Sequence, residues 1–154
     1  MINDQQKRNQ RKTVIFDVDG TLANNEHRQV WVRSKPRNWK AYNATMADDK
    51  PIHNIIHLTH LLRDHYTVIV VTARSMDERD VTLAWLKQHN VHYDHIYFRA
   101  AKDYRDDTIV KSEILDKIIE AGHDPAMVFD DRNKVVNMWR ERGIQCLQVN
   151  DGNF

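Results

Sequence analysis

Reactive side chains follow three apolar stretches of this sequence. Asp17 and Asp19 lie two positions apart after the first stretch, and Thr72 follows the second. Asp130 and Asp131 are neighbours at the end of the third. Carboxylates that crowd together repel one another unless a cation binds them, and oxygen ligands of this kind suit Mg²⁺. These residue types therefore indicate metal-assisted chemistry on a phosphate group.

Each reactive side chain suits one part of the transfer of a phosphoryl group. One carboxylate of the Asp17 and Asp19 pair can attack phosphorus and form an acyl phosphate. The second, two residues on, can protonate the leaving oxygen and later deprotonate the hydrolytic water. The Thr72 hydroxyl and the Lys111 ammonium can neutralise the remaining phosphate oxygens. An isolated D-x-D motif is common, so the prediction depends on all these residues lying together.

Strands that alternate with helices would bring these residues together. Near-continuous apolar runs predict four strands, at 13–19, 66–73, 126–131 and 144–149. A weaker run predicts a fifth strand at 95–98. Apolar residues at helical spacing predict helices in the gaps, and the third of these begins near Lys111. This order is typical of an α/β fold with three layers, in which helices cover both faces of a doubly wound parallel sheet. Such folds bind their ligands at the carboxyl ends of the strands.

Length and composition exclude several classes of protein. The chain has 154 residues, which fits one domain, and a formal net charge of +1, which by itself favours no charged partner. A single cysteine, Cys146, excludes an internal disulfide, and no apolar stretch is long enough to span a bilayer. No G-x-x-x-x-G-K-[ST] phosphate loop is present. We therefore expect a soluble, cytoplasmic protein without membrane association.

Two segments lack the pattern of strands and helices. Residues 24–50 contain no Asp or Glu from position 27 to position 47 and include Lys35, Arg37 and Trp39. We interpret them as a small flap that contacts nucleic acid through backbone phosphates and stacked bases. The alternative is a flap whose aromatic residues pack on the domain and whose charges are merely solvated. Residues 1–12 form a polar, basic arm, which we expect to be flexible.

The run Asp17-Val-Asp-Gly-Thr-Leu22 resembles the first motif of the haloacid-dehalogenase (HAD) superfamily of phosphohydrolases. The resemblance implies that Asp17 is the nucleophile and Asp19 the general acid/base. It also implies that three further motifs supply the rest of the site, namely Thr72, Lys111, and Asp130 with Asp131.

The same resemblance implies a site for Mg²⁺. Its ligands would be the Asp17 side chain, the Asp19 backbone carbonyl and Asp130. Asp131 would help to orient the waters of the metal. The implied fold is a Rossmann-like HAD domain over residues 13–154 with a small insertion after the first strand.

A closer similarity is to the phosphatase domain of the phage polynucleotide kinase/3′-phosphatase family. It is carried by segments along most of the chain, among them 14–23, 70–74, 105–107 with Lys111, 129–132, 135–136, 138–140 and 152–154. That family removes phosphate from 3′ ends of nucleic acid. By this similarity Arg99 and Arg105 lie beside the phosphate and Arg74 contacts substrate. Thr72 departs from the Ser of the phage enzyme, and the missing phosphate loop implies no 5′-kinase activity in this chain.

Two other functions stay open at this point. One is a HAD phosphatase that acts on nucleotides or sugar phosphates, although such enzymes often carry a larger cap than residues 24–50. The other is a non-enzymatic signalling receiver, which also combines acidic residues, Thr and Lys in a doubly wound fold. A receiver carries its acidic pair on the first strand, whereas here the pair comes late in the chain.

Overall fold

The computed structural model describes residues 1, 3, 4, 6 and 11–154. Five parallel strands form the central sheet in the order β5-β4-β1-β6-β7. Their bounds are β1 (Lys12–Phe16), β4 (Tyr66–Ser75), β5 (His95–Arg99), β6 (Pro125–Asp130) and β7 (Gln145–Gln148). The predicted α/β fold with a parallel sheet is confirmed, and the strands were predictable because they are nearly continuous apolar runs.

Helices cover both faces of this sheet. The four long helices are α3 (His53–Leu62), α4 (Arg79–Gln88), α5 (Asp107–Glu120) and α6 (Asn133–Glu141). Ile15 of β1 belongs to a buried cluster with residues of α5 and α6, among them Leu115 and Trp139. Val14 and Phe16 belong to a second cluster with residues of α3 and α4. Successive residues of β1 therefore point into opposite layers, as a strand buried on both faces requires.

The segment between β1 and α3 is more regular than its sequence suggests. It contains α1 (Glu26–Arg33), α2 (Trp39–Ala44) and a short antiparallel ribbon of β2 (Ala23–Asn24) with β3 (Lys50–Pro51). The buried residues of α1 are Arg28 and Gln29. Because this helix buries polar rather than apolar side chains, hydrophobic periodicity could not reveal it.

Two of the predicted boundaries that differ from the structure concern residues of the candidate site. Helix α5 begins at Asp107, one turn before Lys111, and Asp106 caps it by accepting a hydrogen bond from the Thr108 amide. The prediction near Lys111 was wrong because the apolar stripe starts later than the polar, capped first turn. Strand β1 ends at Phe16, so Asp17 and Asp19 lie beyond the strand and the alternation of a strand does not govern their directions.

The amino-terminal region is described in part. The arm was predicted to span residues 1–12, but Lys12 opens β1 and pairs with Asp124. Positions 2, 5 and 7–10 of this arm lie outside the described residues, and its flexibility stays a prediction. Within the described part of the chain, no helix has both the length and the apolar character needed to cross a membrane.

Candidate active site

Asp17 contacts Lys111 at the carboxyl edge of the sheet. The Asp17 amide donates to the Phe129 carbonyl over 3.0 Å, so the residue continues directly from β1. Lys111 Nζ donates to Asp17 Oδ1 over 2.8 Å and to Asp130 Oδ2 over 2.9 Å. All three charged residues are at most 5% exposed. The structure thus brings these predicted site residues from β1, α5 and β6 into one buried group.

The acidic pair after β6 is fixed by its surroundings. Trp139 Nε1 donates to Asp130 Oδ2 over 3.2 Å, and the Asp131 amide donates to Asp130 Oδ1 over 2.8 Å. Gly20 has φ +83°, and a Cβ at that position would lie 2.0 Å from Asp131 Oδ2. Glycine in the D-x-D-G motif therefore lets the Asp131 carboxylate approach the chain that follows Asp17.

Thr72 lies at the same edge of the sheet. In the register of β1 and β4, Phe16 pairs with Val70, so Thr72 lies two residues further along. Its side chain is fully buried, and its Oγ1 accepts a hydrogen bond from the Arg74 amide over 3.1 Å. The position is the one expected of a hydroxyl that serves the same site as Asp17.

Negative charge is concentrated at the cluster formed by the carboxylates of Asp17, Asp130 and Asp131. Burial and the charge of Asp130 raise the pKa of Asp17 well above its usual value, although Lys111 opposes this. Burial and Asp130 likewise raise the pKa of Asp131 to about 7. For Lys111, burial would lower the pKa, but the carboxylates of Asp130 and Asp17 raise it, so its ammonium stays charged. One ammonium thus faces three carboxylates.

These carboxylates fit the predicted magnesium ion. Asp17, Asp130 and Asp131 each offer an oxygen within 4.8 Å of the others. Of the side chains that the structure describes, no other set of three or more His, Cys, Asp or Glu lies so close together. Hard oxygen donors with unbalanced negative charge are the ligands that Mg²⁺ prefers. The predicted role of the Asp19 backbone carbonyl as a further ligand stays a prediction.

Two arginines hold the Asp19 carboxylate. Arg28 Nη2 and Arg74 Nη2 each donate to Asp19 Oδ1 over 2.7 Å. Both arginines also contact the buried Asp49, Arg28 Nε over 2.6 Å and Arg74 Nη2 over 3.0 Å. Burial alone would raise the pKa of Asp19, but Arg74 and Arg28 lower it to about 2. Asp19 is therefore firmly ionised in this arrangement, and Arg74 is 5% exposed.

The charged partners of Arg99 and Arg105 are residues other than Asp17, Asp130 and Asp131. Arg99 donates to the carbonyls of Ala73 and Arg105 and pairs with Asp107. Arg105 pairs with Asp103 over 2.8 Å and with Glu113 over 2.7 Å. Glu113 follows Lys111 by two residues, which is more than half a turn around α5, so Arg105 lies on the other side of that helix. Their predicted contact with substrate stays a prediction.

The predicted substrate residues of the 24–50 segment lie at the surface. Lys35 and Arg37 are exposed, and Trp39 is 53% exposed. The Trp39 ring meets the Tyr42 ring edge to face at 5.6 Å between centroids. The Arg28 guanidinium lies 4.3 Å from the centroid of the Tyr42 ring. An exposed tryptophan is thus linked through one aromatic ring to the arginine that holds Asp19.

Residues 11–154 match the family described as the polynucleotide kinase PNKP phosphatase domain. The chain belongs to this family. A chain of the solved Pnkp1/Rnl/Hen1 complex is 32% identical to this PNKP phosphatase domain, with a TM-score of 0.78. The similarity covers 93% of this chain and 47% of that one. The family and the fold together confirm the resemblance to HAD phosphatases and assign a phosphatase domain.

Two curated relatives are larger proteins. A protein of Autographa californica nuclear polyhedrosis virus, described as a bifunctional polynucleotide kinase/RNA ligase, is 25% identical over 141 residues. That match covers 88% of this chain and 19% of the viral protein. The Bacillus subtilis (strain 168) protein YqfW, described as a nucleotidase, is 32% identical over 68 residues, 44% of this chain and 34% of that protein. The phosphatase domain therefore spans less than two thirds of either relative.

The sequence did not reveal two charged residues of this PNKP phosphatase domain. Arg28 is fully buried although it lies in a stretch that reads as a basic surface, and Asp49 is buried beside it. A charge is seldom buried unless it is paired, but nothing in the sequence shows which residues pair. The available signal was the end of the acid-free stretch at Asp48 and Asp49, next to the return of the chain into α3.

Proposed function

We propose that this phosphatase domain removes the 3′-phosphate from ends of nucleic acid in an Mg²⁺-dependent reaction with an aspartyl-phosphate intermediate. The observation that carries the proposal is the contact of Asp17 with Lys111, beside the acidic pair after β6. A carboxylate, an ammonium group and two further carboxylates share one buried edge of the sheet. The PNKP family supports nucleic acid as the class of substrate.

Asp17 is the nucleophile of the first half-reaction. Its carboxylate oxygen forms a bond to phosphorus while the bond from phosphorus to the 3′-oxygen breaks. The electron pair of the broken bond leaves with the 3′-oxygen, which takes a proton from Asp19. Lys111 and Thr72 stabilise the charge on the other phosphate oxygens. Because the two arginines keep Asp19 ionised, we expect the arriving substrate to loosen one of these contacts, and Asp19 then takes up a proton from the solvent before it acts as an acid.

Asp19 is the base of the second half-reaction. Water attacks the phosphorus of the acyl phosphate, and the bond from phosphorus to the Asp17 oxygen breaks. Asp19 takes the proton of the water, which replaces the proton it gave to the 3′-oxygen. The low pKa of Asp19 favours the ionised form that this step needs. Asp17 is restored as a carboxylate and inorganic phosphate leaves.

Asp17, Asp130 and Asp131 would hold the magnesium ion. When bound, Mg²⁺ offsets the negative charge of the phosphate and the carboxylates, so that an anionic nucleophile can approach an anionic ester. Two of the three carboxylates have raised pKa values, because burial and the charge of Asp130 outweigh the single Lys111 ammonium.

The surface of the 24–50 segment suits a strand of nucleic acid. Lys35 and Arg37 offer positive charge to backbone phosphates, and the half-exposed Trp39 offers a face to a base. Since this chain carries no G-x-x-x-x-G-K-[ST] loop, we propose that a partner chain or segment supplies any kinase or ligase step at the same ends.

A second candidate is a nucleotidase that acts on mononucleotides, which the partial similarity to the Bacillus subtilis protein favours. Matched oligonucleotides with a 3′-phosphate or a 5′-phosphate, together with a 3′-mononucleotide, separate the candidates. We expect the 3′-phosphorylated oligonucleotide to give the highest kcat/KM for phosphate release, and Asp17→Asn to give none. Equal kcat/KM for the mononucleotide would favour the nucleotidase, and preference for the 5′-phosphate would refute both.

A further inference from the structure

A groove beside the carboxylates of the proposed site is lined by residues of α1 and by Asn150, Asp151 and Phe154. Its lining includes Gly20 and Asp131, which belong to the proposed reaction centre. Gln29 and Arg33 of α1 and the aromatic residue Phe154 also line it. Gln29, Arg33 and Phe154 have no part in the proposed phosphatase mechanism, so the groove is available to a different part of the substrate.

Gln29 presents an unpaired amide to this groove. The residue is 8% exposed, and its side chain makes no hydrogen bond to another residue in the described part of the chain. Among the described side chains, Thr13 Oγ1 is the one fully inaccessible N or O atom without a partner, so the polar atoms of the Gln29 amide keep some access to solvent. Gln29 is also one of the residues that line the groove. A ligand that supplies a hydrogen bond to such an amide gains binding free energy from it.

The chain that carries Phe154 packs against Asp131 of the acidic pair. A Cβ at Gly152 would lie 1.8 Å from the Asp131 carbonyl oxygen, so the chain passes directly against the backbone of Asp131. Arg132 Nε donates to the Phe154 carbonyl over 2.9 Å, and the Arg132 guanidinium lies 5.2 Å from the centroid of the Phe154 ring. The ring is 54% exposed. An apolar face is therefore held at a fixed place beside the groove.

The charges of the groove favour an uncharged occupant. Carboxylates of Glu26, Asp131 and Asp151 line it, against the single guanidinium of Arg33. A second phosphate would be repelled by these carboxylates, whereas a sugar and base would pair with an amide and contact an aromatic ring. The uncharged group that is bonded directly to the scissile phosphate is the terminal nucleoside.

We propose that this groove is the subsite for the terminal nucleoside of the substrate and that Gln29 is a specificity-determining residue that hydrogen-bonds to it. The inference rests on the proposed 3′-phosphatase function. It deepens that function by naming the part of the substrate that α1 recognises.

Gln29→Met tests the subsite, because it keeps the length of the side chain and removes its hydrogen bonds. Val30→Ala is the matched control, since Val30 lies on the same helix and is 59% exposed. We measure kcat and KM for a 3′-phosphorylated oligonucleotide and for p-nitrophenyl phosphate, which has no nucleoside. Gln29→Met should lower kcat/KM for the oligonucleotide about two- to tenfold and should lower it less for p-nitrophenyl phosphate. Val30→Ala should show no such selectivity.

Two results would contradict the proposal that this groove is the nucleoside subsite. Equal losses on both substrates would show that Gln29 supports the reaction centre itself, and an unchanged kcat/KM for the oligonucleotide would show that the amide contacts nothing. Phe154→Leu is a second test, since loss of the ring should also lower kcat/KM for the oligonucleotide more than for p-nitrophenyl phosphate. If the wild type releases no phosphate from the oligonucleotide but hydrolyses p-nitrophenyl phosphate, the 3′-phosphatase proposal itself fails, and the subsite with it.

Discussion

Arg28 Nη2 donates a hydrogen bond to Asp19 Oδ1 over 2.7 Å, so helix α1 reaches the second aspartate of the D-x-D motif. The same guanidinium contacts Asp49 through Nε and Nη2, over 2.6 and 2.7 Å. An arginine without exposed surface thus joins the 24–50 segment to the proposed general acid/base. Through this contact the 24–50 segment helps to position the proposed general acid/base.

Replacement of Arg28 should therefore affect both stability and turnover. Arg28→Ala leaves the buried Asp49 with fewer partners, and breaking a buried pair in this way costs about 3–5 kcal/mol. Arg28→Lys keeps the charge but cannot contact Asp19 and Asp49 with the same fork of donors, so we expect a folded protein with reduced kcat. Urea denaturation and phosphate release measure the two effects. An Arg28→Ala variant with wild-type unfolding free energy and wild-type kcat would contradict this reading of the network.

Asp17→Asn should abolish turnover without loss of stability. The amide cannot form the acyl phosphate, while Lys111 keeps its contact with Asp130. Because the pKa of Asp17 is raised by burial and by Asp130, replacement of this carboxylate should leave the free energy of unfolding equal or higher. Phosphate release and thermal denaturation in EDTA check both points. Substantial turnover by a folded Asp17→Asn variant would exclude Asp17 as the nucleophile.

The site was predictable from sequence where it depends on strand ends. Asp17, Thr72 and Asp130 follow apolar runs, and parallel strands bring such ends to one edge whatever the details of packing. The direction of a side chain beyond a strand end is different, because tertiary contacts decide it. Asp19 is turned towards Arg28 and Arg74, and its partner Arg28 pairs with Asp49 at a separation of 21 residues along the chain. No local pattern encodes such a pairing.

Helix α1 shows that the prediction of secondary structure from the sequence has the same limit. Hydrophobic spacing predicted α3 to α6 because each buries an apolar stripe, but α1 buries Arg28 and Gln29. A helix that buries polar side chains against a site lacks the hydrophobic period on which sequence analysis depends. The residues around the proposed site that are hardest to predict from the sequence are therefore the buried polar residues of α1.

The stability of the metal-free protein should fall as the pH rises through about 7. The pKa of Asp131 is raised from an ordinary value of 3.8 to about 7 in the folded protein, so the folded state holds this proton more tightly than the unfolded state. The resulting stabilisation is complete below the ordinary pKa and is lost as the pH rises through the folded pKa. Asp17 acts in the same direction. Unfolding in EDTA at pH 5.5 and pH 8 should differ by about 1–3 kcal/mol.

Magnesium should reverse this effect. Its binding requires ionised carboxylates, so added Mg²⁺ should raise the free energy of unfolding more at pH 8 than at pH 5.5. Asp131→Asn is the control, because it removes a titrating group and should flatten the pH dependence in EDTA. Equal stabilisation by Mg²⁺ at both pH values would argue against a cation bound by these carboxylates.

The exposed face of the 24–50 segment should matter for oligonucleotides and little for mononucleotides. The variant Lys35→Ala/Arg37→Ala/Trp39→Ala removes two surface charges and one half-exposed ring, so the fold should persist. We expect a higher KM for 3′-phosphorylated oligonucleotides, because each stacked base contributes about 1–3 kcal/mol and each neutralised phosphate adds to the salt dependence of binding. The variant should also weaken the dependence of KM on salt concentration, and we expect little change in KM for a 3′-mononucleotide, which lacks the rest of the strand. Equal changes in KM for the two substrates would mean that Lys35, Arg37 and Trp39 are solvated or structural residues, since a contact along the strand cannot affect a substrate that lacks the strand.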